Sequence, residues 1–383
     1  MMKRNKTTYL FVVLMLTAGC KEKFDPPINP QQTNYLVAEG FINAGQGSTN
    51  IQLSRTTQLK DTAQLRPELN ATVTVMAEDN LVFQLKEIGN GLYSSGQLNL
   101  DKNKKYRLHI ITNNRNNYLS DFVSVKLTPP IDSVNWRIEN NGVQAYVNTH
   151  DPQNNTKYYK WDYEETWEIH SFDEARYKYV ATPSPTVATR DPNEIKSMYF
   201  CWQTKKSTNI LLGSSVALNS DIISLQPVIF IPQGSEKISV RYSILVRQHA
   251  LDQQGYEFYQ LMKKNTESIG SIFDAQPSDI TGNIHSISNP DEKVIGYIGA
   301  SSAQEKRIFI SRNEVGNWNY TFHCETKEVP NNSDSIKFYF DGPGLIPYQS
   351  NPSGGINVIS YYSSTSHCLD CRERGSSVKP SFW

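Results

Sequence analysis

Four carboxylates crowd one stretch of this sequence. Asp162, Glu164, Glu165 and Glu168 all fall within YYKWDYEETWEIH, residues 158–170, beside Trp161 and Trp167. Carboxylates next to indole rings are equipment for sugar binding. They also serve glycoside hydrolysis when an acid and a base or nucleophile face each other across a cleft. Successive residues of a strand point to opposite faces, so Glu164 and Glu165 cannot form such a pair alone. Tyr159, Trp161, Tyr163, Glu165, Trp167 and Ile169 share one face; Tyr158, Lys160, Asp162, Glu164, Thr166, Glu168 and His170 share the other. Glu165 is the one carboxylate on the aromatic side, where burying it bare is costly. It either pairs with an arginine such as Arg241, Arg247 or Arg307, or it lines a ligand or partner surface with Trp161 and Trp167.

Cysteine is the second chemistry. Cys201, Cys324, Cys368 and Cys371 follow a solitary Cys20. Four cysteines in an exported chain read first as two disulfides, with three pairings open. Cys368 and Cys371 form a CxxC beside His367, which keeps a zinc site as the alternative. A strong zinc signature has two such pairs, however, and here the other two cysteines are isolated. The CxxC opens no βαβ unit, which argues against thioredoxin-like redox work. The seven histidines are scattered, and the HExxH, GxSxG, phosphate-loop and EF-hand patterns do not occur. The reading is therefore non-enzymatic, with no catalytic residue, no metal and no cofactor assigned.

Cys20 has a different setting. Lys3, Arg4 and Lys6 precede an apolar run from Tyr9 to Ala18, and Ala18-Gly19 sit directly before Cys20. This is the layout of a secretory signal, and a cysteine at the cleavage point makes it a lipoprotein signal over residues 1–19. Ten apolar residues are too few for a spanning helix, which needs about 20. Residues 20–33, with three prolines, read as a lipidated tether. The chain has 38 basic and 38 acidic residues, and losing the signal removes three basic ones, leaving a formal charge of −3. Such balance excludes nucleic acid as an expected partner.

The elements that must position these residues are mainly β. Tyr, Trp and β-branched residues are plentiful, and Asn, Ser and Gly punctuate them at short intervals. YLVAEGFI, NIQLSRT, ATVTVMA, LVFQLKEI, LYSSGQLNL and KYRLHIIT predict an N-terminal β-sandwich over residues 34–128, with His109 an ordinary strand residue. Pro129-Pro130 mark a boundary. Residues 131–383 form a larger β-rich domain. Its strands are expected at SMYFCWQ, NILLGSS, ISLQPVIFI, KISVRYSILVRQ, KVIGYIGASS, KRIFISR, WNYTFHCET, SIKFYFDG and INVISYYSS. One long α-helix is expected near 250–268, where Leu251, Gly255, Phe258, Tyr259 and Met262 recur at helical spacing. SIGSIFDAQPSDITGNI reads as the loop that leaves it. The terminal Phe382-Trp383 is expected to pack onto the β fold.

Two resemblances add to this. NATVTV, GLYSS and KKYRLHI resemble immunoglobulin-like or transthyretin-like modules, which implies a spacer or binding support. IDSVNW, YYKWDYEETWE, YFCW, YSILVRQHAL, GSIFDAQPSDITGNI, VIGYIGAS, CLDCRERG and KPSFW, with the lipid signal, resemble the Bacteroidota outer-membrane lipoprotein family catalogued as domain of unknown function 4249. That resemblance implies an outer-membrane lipoprotein, often encoded beside TonB-dependent transporters. Lys21, Glu22 and Lys23 partly resemble the surface-export signal of such lipoproteins, which favours the cell surface and leaves the leaflet open. The leading expectation is an accessory or binding protein that partners a TonB-dependent barrel. A glycan-active surface hydrolase using the carboxylates near Trp161 and Trp167, or an envelope assembly factor, are the alternatives.

Overall fold

The alternation over residues 158–170 produces the longest strand among the described residues. In the computed structural model, which describes residues 34–57, 66–267, 280, 282–342, 344–353 and 357–383, that strand runs Tyr158–His170. Its aromatic face is buried throughout. It lies at the centre of a five-stranded sheet, with Arg241–Leu251 on one side and then Ala303–Ser311. Phe200–Lys206 and Leu211–Ser214 share its other edge. A three-stranded sheet of Ile131–Glu139, Gly142–His150 and Ile222–Pro232 covers the aromatic face, and the two sheets enclose one apolar core.

The first unit is mainly β as expected, but its strands close on themselves. Hydrogen-bonded pairing runs from Leu36–Asn43 through Asn50–Arg55, Leu92–Ser94, Val82–Gly89, Thr72–Ala77, Lys105–Ile111, Val123–Lys126 and Gly299–Ser301, and returns to Leu36–Asn43. This eight-strand ring differs from the β-sandwich suggested by strand spacing. The strand that closes it comes from a distant part of the chain, so local pattern could not announce it. Ile284–Ser286 and Val294–Ile295 also join, pairing with Asn117–Ser120 and with the start of Leu36–Asn43. Ile284, Val294, Ile298 and Ala300 sit in the same core as Leu36, Ile51, Val73 and Val75. The N-terminal core is thus not built from residues 34–128 alone.

The two units are stitched at the prolines. Gln248 Nε2 donates to Pro129 O at 2.8 Å and to Thr149 Oγ1 at 3.0 Å, while Ala250 N donates to Thr128 Oγ1 at 2.9 Å.

Helices replace three expected strands in whole or part. SIKFYFDG forms the helix Ser333–Phe340: Ile336 and Phe340, four apart, are buried, while Phe338 is exposed. Asn332 caps it by accepting from Ser335 N. SMYFCWQ is divided between the helix Pro192–Tyr199, capped by Asp191, and the strand Phe200–Lys206. KISVRYSILVRQ opens with a 3-10 turn, Glu236–Ile238, and becomes a strand only at Arg241. WNYTFHCET contains no strand. The helix expected near 250–268 runs Gln253–Glu267, started by Asp252, which accepts from Gly255 N at 2.8 Å. It is the longest described helix rather than the only one of substance. The predicted loop after it lies mostly outside the described residues, as do residues 1–33 with the signal, Cys20 and the tether.

Candidate functional site

The side chains expected to make a ligand surface are in the core. Trp161 is 0% exposed, Trp167 3% and Glu165 5%. Trp161 Nε1 donates to Gln248 Oε1 at 2.8 Å. Glu165 is ion-paired, but not with an arginine. Lys237 Nζ lies 2.7 and 2.8 Å from its two oxygens, and Tyr242 donates to it at 3.1 Å. Burial and the Glu165 charge hold the Tyr242 hydroxyl well above its usual pKa, so it stays a donor. The arginines are used elsewhere. Arg241 lies over the Phe309 ring, Arg247 bridges two other carboxylates, and Arg307 donates to Ser243 Oγ at 3.0 Å. No surface of Trp161, Glu165 and Trp167 exists, because the three-stranded sheet lies over that face.

The opposite face of the same strand is the accessible one. Asp162, Arg247 and Glu305 stand directly opposite one another on three adjacent strands. Arg247 donates to Asp162 at 2.8 Å and to Glu305 at 2.6 Å. His249 Nε2 lies 3.6 Å from Asp162, and the Phe41 ring stacks on the imidazole at 4.4 Å with 5° between planes. These groups floor a cleft of about 580 Å³ between the ring and the five-stranded sheet. Its far wall is the turn after Leu36–Asn43, presenting Asn43, Gln46, Ser48 and Asn50, and Glu164 and Lys206 lie at its side.

Electrostatics limits what this cleft does. Burial would raise the Asp162 carboxyl, but His249, Lys160 and Arg247 outweigh it and hold the pKa at about 2. Burial pushes His249 below its usual 6.5, although Asp162 opposes this. A general acid must carry a proton at working pH, and Asp162 does not. The arrangement offers fixed charges and amide and hydroxyl hydrogen bonds, which suits binding of a polar ligand. Asp162 and Glu164 were visible in the sequence. Arg247, His249, Glu305 and Phe41 were not, because only register and chain closure bring them together. The single available signal was the alternation in 241–251, which puts Arg247 and His249 on one face.

All four distal cysteines are consumed by disulfides, Cys201–Cys371 and Cys324–Cys368. The two cysteines of the CxxC go to different partners, so they do not serve as a zinc pair. Among the described residues no group of three metal-ligating side chains occurs. His367 instead packs edge-on against Phe322 at 5.8 Å. Trp383 packs on the sheet, 5.6 Å from the Phe309 ring, with Nε1 donating to Glu168 at 3.2 Å.

Fold and cleft together define a mainly β protein with a polar cleft where its two largest cores meet. The chain belongs to the family described as Domain of unknown function (DUF4249), whose model matches residues 21–307. That span includes every residue of the cleft; CLDCRERG and the terminal KPSFW lie beyond it. No curated protein matches the chain. Among solved structures it is similar to the adhesin InvE of Yersinia pseudotuberculosis, at 12% identity over 58% of each chain and a TM-score of 0.14. A likeness of that size carries no argument.

Proposed function

We propose that this chain is a lipid-anchored, non-enzymatic binding or accessory protein of a Bacteroidota outer membrane, working beside a TonB-dependent barrel. The observation that carries the binding role is the cleft, whose central carboxylate is ionised and held by Arg247. Such a group recognises a ligand without donating a proton to it. The anchor rests on the sequence around Cys20. Localisation at the cell surface rests on the residues after Cys20 and on the family resemblance.

The test is purification of the native protein from outer membranes in mild detergent, with copurifying proteins identified by mass spectrometry. A stoichiometric TonB-dependent barrel, and loss of membrane retention in Cys20→Ala, are expected. A partnerless protein overturns the accessory role. A surface glycan hydrolase is the second reading, favoured by Asp162, Glu164 and Glu305 in one cleft. It requires turnover of a glycan that Glu164→Gln abolishes.

A further inference from the structure

Beside the polar cleft lies a second cavity of about 430 Å³, between the ring, the central strand and the helix Gln253–Glu267. The two share Phe41 and Asp162. The second one has aromatic and thioether walls, from Phe41, Phe258, Tyr259 and Met262. Its volume falls in the range of small-molecule sites, roughly 300–1,000 Å³.

One charged group in it is unusual. Lys160 Nζ lies 5.3 Å from the Phe41 ring centre and 5.1 Å from that of Tyr259. Lys160 makes no hydrogen bond or ion pair with any described residue. An ammonium has three donors and no acceptor capacity. The side chain is half-buried, so the ammonium opens onto the cavity while the two ring faces replace part of its hydration. Burial pulls its pKa below the usual lysine value, against the Asp162 and Glu39 carboxylates. Neither carboxylate pairs with it: Asp162 is bound by Arg247, and Glu39 is an exposed rim residue. The Tyr259 hydroxyl likewise finds no partner among the described residues. Burial raises its pKa, so it remains a donor.

Two donors with no acceptor among the described residues thus open onto one aromatic cavity. We infer that this cavity binds a monocarboxylate with a flat aromatic body, its carboxylate taken by Lys160 Nζ and the Tyr259 hydroxyl and its ring set against Phe41 and Phe258. Asp162 and Glu39 disfavour a dianion, which selects a carboxylate over a phosphate monoester. The inference names a ligand class for the binding protein proposed above and rests on that reading.

The test is calorimetric titration of the purified full chain with 2-naphthoate, with 2-naphthylmethanol as the uncharged control. One naphthoate per chain is expected, with the alcohol on the order of tenfold weaker, since a charge-assisted hydrogen bond is lost. Lys160→Met should lose a similar factor and Lys160→Arg should retain binding. Lys160→Met should also melt close to the wild-type temperature, because the half-buried ammonium is held only by two ring faces and methionine keeps the apolar stem. A structural lysine would instead destabilise on removal. No naphthoate binding, equal binding of the alcohol, or unaltered binding by Lys160→Met overturns the inference. A barrel that still copurifies in that case leaves the accessory role standing, and loss of the barrel with naphthoate binding intact removes the accessory role alone.

Discussion

Glu165 shows how one side chain divides a structural from a functional reading. It is buried with Lys237 and Tyr242 as its partners. Removing one member of a buried pair leaves the other charge uncompensated. Lys237 retains partial exposure, so Glu165→Gln should cost about 2–3 kcal/mol, less than a fully buried pair. Urea unfolding should show a lower midpoint at unchanged slope; a midpoint equal to wild type would return Glu165 to the list of binding residues. Asp162 and His249 set an acid response. His249 is depressed below 6.5, so its contribution is full above that pH and declines as the unfolded chain takes up the proton. Asp162 falls from 3.8 to about 2, so its contribution is full above the unfolded value and is lost as pH drops through the folded one. Its share is about 1–2 kcal/mol after allowance for partial exposure. Denaturation midpoints at pH 7, 5 and 3 should fall throughout. Asp162→Asn should flatten the decline below about pH 4, and an unaltered slope there would refute the assignment.

At the scale of elements, the period-two stretches translate faithfully and the short apolar runs do not. Tyr158–His170 and Arg241–Leu251 each have one face buried along its whole length, and the pattern was explicit in their residues. SIKFYFDG has too few residues to separate the two periods, and the decision fell to the cap at Asn332 and to the core that receives Ile336 and Phe340. The central strand also has a close neighbour that no pattern reveals. A Cβ on Gly213 would come within 2.6 Å of the Trp161 ring. Trp161 is fully buried and hydrogen-bonded, so it has little room to yield. Gly213→Ala should cost about 1–3 kcal/mol and alter the near-ultraviolet circular dichroism of the indole. Wild-type stability with an unchanged spectrum would show that the strand Leu211–Ser214 simply moves away.

Across the whole molecule, long-range closures hold the parts together. The disulfide Cys201–Cys371 spans 170 residues and joins the central sheet to the C-terminal segment. Cys324–Cys368 spans 44 and lies in a small core with Leu369, Met198 and Tyr348. Loss of a native disulfide costs about 2–5 kcal/mol. Replacing Cys324 and Cys368 with serine should therefore expose amides of the strands Lys327–Pro330 and Asn357–Thr365 to hydrogen exchange. Amides of the ring strands Thr72–Ala77 and Lys105–Ile111 should keep their protection. Equal loss in both regions would mean that the molecule unfolds as one unit.

The sequence by itself determined the β class, the faces of the long strands and the presence of four cysteines suited to disulfides. These are properties of neighbours along the chain, and strand alternation and residue type express them locally. Tertiary structure decided the rest. It closed the ring with residues 299–301, paired the cysteines, gave Glu165 to Lys237 and set Arg247 between Asp162 and Glu305. It also turned the candidate site over. The indoles with the strongest sequence signal went inside, because apolar area is most stabilising there. The carboxylates on the other face were left to line the cleft. Which face meets water depends on what packs against the strand, and that partner lies far away in sequence.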